Sequence, residues 1–195
     1  MATAPITVGP APAIDTAFVT ACDLFERTLA AAPRSRWADP TPCAAWTVRD
    51  LVGHVVQTLV KIPALVRDEP FTREDEPVTG DLVSALAAVA GPAREAMSEV
   101  DPTRTADTPW GRGTLAQALA FPVSDLAVHS WDLAHATGQR LQLPGELLAH
   151  VVAMCDGVPE EVLRGAAGFA APVPVPADAD DTTTLIAWLG RDPGS

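Results

Sequence analysis

With 195 residues, 48% of them apolar and 19% charged, the chain is long and apolar enough to bury a core, which excludes a disordered segment. A formal charge of −12, from 25 acidic and 13 basic residues, argues against nucleic acid as a partner, because phosphate recognition rests on Lys and Arg. No Lys or Arg precedes Arg27, proline and glycine break each long uncharged stretch, and Cys22, Cys43 and Cys155 form no C-x-x-C pair, so a cytoplasmic protein without a membrane span is expected.

Alanine and leucine supply most of the apolar content, which favours helices. Residues 1–13, rich in Ala, Pro and Thr, read as a loose lead-in. A first helix is predicted over residues 15–32, with Phe18, Cys22, Phe25 and Leu29 on one face and Pro33 as its stop. Turn chemistry with two prolines, Pro40 and Pro42, leads to Thr47, which caps a second helix; Asp50 stands where a capping box has Glu or Gln. Val48, Leu51, Val52, Val55, Val56 and Leu59 form its apolar stripe, and Pro63 is expected to interrupt or kink it.

A charged loop at 67–81 precedes a third helix over 81–100, and the loop at 101–113 leaves room for a short extended piece. Thr114 and Gln117 match a capping box that opens a fourth helix running to Thr137, kinked at Pro122 and stopped by Gly138. A fifth helix over 144–164, an extended Pro-rich stretch at 172–176 and a short helix at 181–189 complete the chain. The pattern predicts an all-α fold, residues 1–195 forming one antiparallel four-helix bundle with extra short C-terminal helices and loops.

Asp125 and His129 stand four positions apart, so their side chains lie one turn apart on the same helix face. They flank the Leu115, Leu119, Leu126 and Leu133 stripe, as His54 flanks its own stripe on the second helix. Two flanks can meet where helices pack, and three such ligands suit a divalent metal with a position left open for water. Nitrogen and oxygen donors without thiolate fit zinc, nickel or iron better than copper(I). Asp132 could orient a ligating imidazole or approach the metal itself.

On spacing alone, a surface His–Asp pair and a merely packed or solvated His54 are the commoner outcomes. Cys43 is the nearest candidate for a fourth ligand, against a packing role. Arg112, beside the N-terminus of the fourth helix, could hold a carboxylate or simply be solvated. His135 and His150 read as surface histidines.

Thr41-Pro-Cys-Ala-Ala-Trp-Thr-Val-Arg-Asp-Leu-Val-Gly-His54 resembles the start of the second helix in metal-binding proteins related to mycothiol-dependent maleylpyruvate isomerase, within the DinB-like four-helix bundles. Asp125-Leu-Ala-Val-His-Ser-Trp-Asp-Leu-Ala-His-Ala-Thr-Gly138 resembles their second signature, and Gly168-Phe-Ala-Ala-Pro-Val-Pro-Val-Pro and Leu189-Gly-Arg-Asp-Pro193 extend the likeness over nearly the whole chain. The resemblance implies His54, Asp125 and His129 as metal ligands, zinc first among the metals, and mycothiol or another low-molecular-weight thiol as cofactor.

Two departures shape the expectation. The isomerase carries Glu where this chain has Asp125, and it continues into a C-terminal domain that this chain is expected to lack. The implied activity is therefore a thiol-dependent isomerase or transferase acting on a small organic substrate, rather than maleylpyruvate isomerisation itself. The alternative is a metal-dependent binding or structural module without turnover, which a site closed by four protein ligands would mark. An oligomer is compatible with either reading.

Overall fold

In the computed structural model the described residues are 4–43, 46–70, 77–108, 110–164 and 169–194. Part of the charged loop at 67–81, residues 1–3 of the lead-in, and Ala44, Ala45 and Gly168 of the signature segments lie outside them.

Helix α1 spans Ile14–Ala31 and buries Phe18, Cys22, Phe25 and Leu29 as the spacing predicts, widened by Ala17, Ala21 and Leu24. It ends where Ala32 turns extended before Pro33. The lead-in is not wholly detached: Ala4 is buried and Ile6 and Val8 pack on the core.

Helix α2 spans Val48–Arg67. Thr47 Oγ1 accepts from the Asp50 amide at 3.3 Å, while Asp50 Oδ2 accepts from the Thr47 amide at 2.9 Å, so the shorter acid closes the capping box. The helix carries Pro63 and runs on one more turn to Arg67. Helix α3, Leu82–Ser98, is capped by Asp81, which accepts from the Ser84 amide at 3.1 Å.

The loop after α3 holds more than an extended piece. Strands β1 (Thr105–Thr108) and β2 (Gly111–Thr114) form an antiparallel hairpin, which the all-α reading lacked. Helix α4, Leu115–Ala136, opens on the expected Thr114–Gln117 box and closes at Gly138, φ 77°.

The single helix expected over 144–164 is two: α5, Gly145–Gly157, and α6, Glu160–Leu163. Pro159 disfavours helical backbone at Val158, which sits at ψ 134°, and that breaks the run. Helix α7, Asp181–Trp188, is capped by Asp180.

Helices α1 and α2 each pack against both α3 and α4, giving the four-helix bundle; α5 lies on α4 and α1, and α7 on α5. Phe18, Phe25, Leu29, Leu51, Leu59, Leu115, Leu119, Leu126 and Leu133 are fully buried in it, each contributing about 1.5–3 kcal/mol of burial. Because neighbours cover α4 on several sides, every residue from Leu126 to Ala134 is buried, whatever its polarity. That coverage carries His129 and Asp132 into the interior.

His150 is also buried, contrary to the surface reading, because α5 packs its face onto α4; its Nε2 lies 3.2 Å from the Ala120 carbonyl oxygen. Among the described residues no helix is long and apolar enough to cross a membrane.

Candidate metal centre

Helices α2 and α4 are neighbours, and their flanks bring the three predicted residues together. His54 Nε2 lies 2.6 Å from Asp125 Oδ2, and His129 Nε2 lies 3.1 Å from Asp125 Oδ1. One ligand atom from each residue falls within 4.8 Å of the others. The side chains grade inward, from 27% exposed at His54 through 19% at Asp125 to 5% at His129. The group is thus open on the α2 side and closed behind His129. Trp46 packs against both imidazoles, its ring centroid 4.9 Å from His54 and 5.7 Å from His129.

Behind the trio stands a second set of groups. His129 Nδ1 donates to Asp132 Oδ2 at 2.9 Å, which fixes the ring with Nε2 facing Asp125. Asp132 is fully buried, so it orients the imidazole from behind instead of approaching the front of the site. Arg191 grips it with two bonds, Nε to Oδ1 at 3.2 Å and Nη2 to Oδ2 at 3.1 Å.

Cys43 joins this rear group, donating to Asp132 Oδ2 at 3.3 Å, with Arg191 Nη2 3.6 Å from its sulfur. Cys43, His129 and Asp132 could themselves group around a cation, but the Arg191 guanidinium already fills the cationic place there. Cys43 therefore does not sit in front as a fourth ligand.

The charges follow from this geometry. Burial pushes the Asp125 carboxyl up, but His129 and then His54 outweigh it and hold it far below the usual carboxylate range. Burial opposes charge on His129, yet Asp125, with hydrogen bonds to Asp125, Asp132 and Cys43, raises it well above an ordinary histidine. Burial likewise works against the Asp132 carboxylate, and Arg191 and His129 hold it ionised.

Arg191 is the site residue that residue-type reasoning missed. Local chemistry places it: Gly190 stands at φ 85°, its amide donates to the Ala187 carbonyl at 2.9 Å and the Arg191 amide to that of Ile186 at 3.1 Å. This pairing closes α7 in a Schellman motif. A Cβ on Gly190 would lie 2.6 Å from Ala170 Cβ and 2.8 Å from its carbonyl carbon, so the turn admits only glycine. The Leu189-Gly-Arg run was the available signal. Arg112, by contrast, pairs with Asp107 at 3.0 Å across the hairpin and lies 72% exposed.

The sequence model of one family, the mycothiol maleylpyruvate isomerase N-terminal domain, matches residues 18–134. The chain belongs to that family. The match runs from α1 through α4 and takes in His54, Asp125, His129 and Asp132, but stops short of Arg191.

The chain is also similar to proteins of known sequence and of known structure. Two uncharacterized proteins of Mycobacterium tuberculosis, from strains CDC 1551 / Oshkosh and ATCC 25618 / H37Rv, are each 31% identical over 173 residues, 87% of this chain and 92% of theirs. Crystal structures of the mycothiol-dependent maleylpyruvate isomerase and of a histidine-to-alanine mutant of it match with TM-scores of 0.57 and 0.56, at 14% and 13% identity. Each covers 74% of this chain and 70% of the other, a likeness of fold.

Proposed function

We propose that His54, Asp125 and His129 hold one divalent metal ion, zinc in preference to nickel or iron, and that the site serves a thiol-dependent isomerase or transferase. One observation carries this reading: Asp132 accepts the Nδ1–H of His129 and so turns Nε2 toward Asp125, where a cation that displaces the Nε2 proton would find it, the carboxylate–histidine arrangement typical of metal ligands. The donor set fits. Donors about 2.0–2.1 Å from a tetrahedral zinc stand roughly 3.3 Å apart, so the observed 2.6 and 3.1 Å spacings open to that value by side-chain rotation.

A bound divalent ion lowers the pKa of a thiol at its open position and presents the thiolate to an organic substrate. The protein's own residues supply the rest. Asp125 offers negative charge that offsets the cation, Asp132 and Arg191 fix the inner imidazole, and Trp46 keeps water from the imidazole faces.

The chain's own cysteines are unsuited to the thiol's role. Burial pushes the Cys22 and Cys155 thiols up to about 12, and Cys43 is engaged behind His129. An external thiol is the natural partner, and mycothiol is the one on which the structurally similar isomerase depends.

Cobalt substitution tests the proposal, since thiolate ligation adds charge-transfer absorption that water ligation lacks. Adding mycothiol should change the spectrum of the wild type and leave His54→Ala unchanged. Bound cobalt with no thiol response would favour a non-catalytic metal-binding module.

A further inference from the structure

A cleft of about 580 Å³ opens between the N-terminal end of α1, the first half of α4, and α5. Small residues create it. Ala116 and Ala120 on α4 face Ala153 and Gly157 on α5, where larger side chains would interdigitate, and the Trp110 indole forms a wall. Ala116 and Ala120 lie away from the metal centre, since Asp125 is roughly 140° around the helix from Ala120 and about 180° from Ala116, while Gln117 stands about two turns before Asp125. The cleft therefore shares no lining residue with the His54, Asp125 and His129 group.

We infer that this cleft binds an uncharged, largely apolar small molecule that donates a hydroxyl or N–H hydrogen bond to His150. Three observations carry the inference. The volume is within the range of small-molecule sites, roughly 300–1,000 Å³. No Lys or Arg is among the described lining residues and Asp15 stands at the rim, so an anionic ligand is repelled.

The third is His150 itself, 5% exposed and in the lining. Its one ring hydrogen bond among the described residues runs from Nε2–H to the Ala120 carbonyl, 3.2 Å. Burial opposes the charged ring, and with Nε2–H given to Ala120 the neutral form carries its lone pair on Nδ1, an acceptor. Asp15 Oδ1 already accepts from the Thr16 amide and Gln117 Oε1 from that of Thr114, so a largely apolar cleft with the His150 acceptor selects an apolar body carrying one donor.

Calorimetric titration of the wild-type protein with 1-naphthol and with 1-methoxynaphthalene, its donor-free counterpart, tests this. The naphthol should saturate one site per chain and bind roughly three- to tenfold tighter than the ether, a preference that collapses in His150→Leu. Ala153→Phe and Gly157→Phe, at exposed positions, should each weaken both ligands at least tenfold while melting like the wild type. Binding should survive EDTA.

Several results would overturn the inference: no saturable binding, a preference that persists in His150→Leu, affinity unchanged in both phenylalanine variants, or loss of binding with EDTA. So would a wild-type dimer in sedimentation that Ala153→Phe splits, because the cleft would then be an interface between copies.

Discussion

Arg191 and Asp132, 59 positions apart, meet through two hydrogen bonds of 3.2 and 3.1 Å, with Asp132 fully buried and Arg191 nearly so. The contact ties the segment after α7 to the rear of the α4 site. Removing one partner strands the other charge in the interior, so Arg191→Ala should cost about 3 kcal/mol in urea unfolding. It should also weaken metal affinity by roughly tenfold or more, since Asp132 then loses its hold on His129. A variant as stable and as metal-competent as the wild type would show that the pair is incidental.

Gly190 sets that contact up. Gly190→Ala places a side chain at φ 85° and against Ala170, so it should destabilise by more than 1 kcal/mol, about the ordinary cost of left-handed backbone. Displacing Arg191, it should shift zinc affinity in the same direction as Arg191→Ala. Opposite shifts would separate the turn from the site.

Asp125 lies between the two imidazoles, 2.6 Å from His54 and 3.1 Å from His129. Charge and oxygen donor persist in Asp125→Glu and only reach changes, so zinc should stay bound with altered affinity. Asp125→Ala should lose high-affinity binding. Competitive zinc titration decides, and unchanged affinity in the alanine variant would remove Asp125 from the ligand set.

Burial holds His150 below its ordinary value of 6.5. The unfolded chain then takes up this proton before the folded protein does. Stability is fully present above the unfolded pKa and is lost as pH falls through it toward the folded value. Between about pH 8 and about pH 5 the wild type should therefore lose more unfolding free energy than His150→Leu. A constant difference between the two would mean the imidazole is freely protonated in the fold.

What could be read from the chain alone was local. Thr47, Thr114 and Gly138 mark helix ends because caps act over three or four residues, and Asp125 and His129 share a face by helical geometry. His54 joins them only because α2 packs on α4, which its position beside the apolar stripe suggested.

The contacts that escaped are those made by tertiary packing. Nothing near Arg191 in sequence names Asp132, and His150 is interior only because α5 lies on α4. The Val158–Pro159 break was a local signal that the apolar periodicity of α5 obscured.

The central claim is that His54, Asp125 and His129 together hold one divalent ion. Elemental analysis of untagged protein should find about one ion per chain in the wild type and almost none in His129→Ala, because a three-ligand site stripped of its innermost ligand is incomplete. Equal metal content in the two proteins would contradict the account.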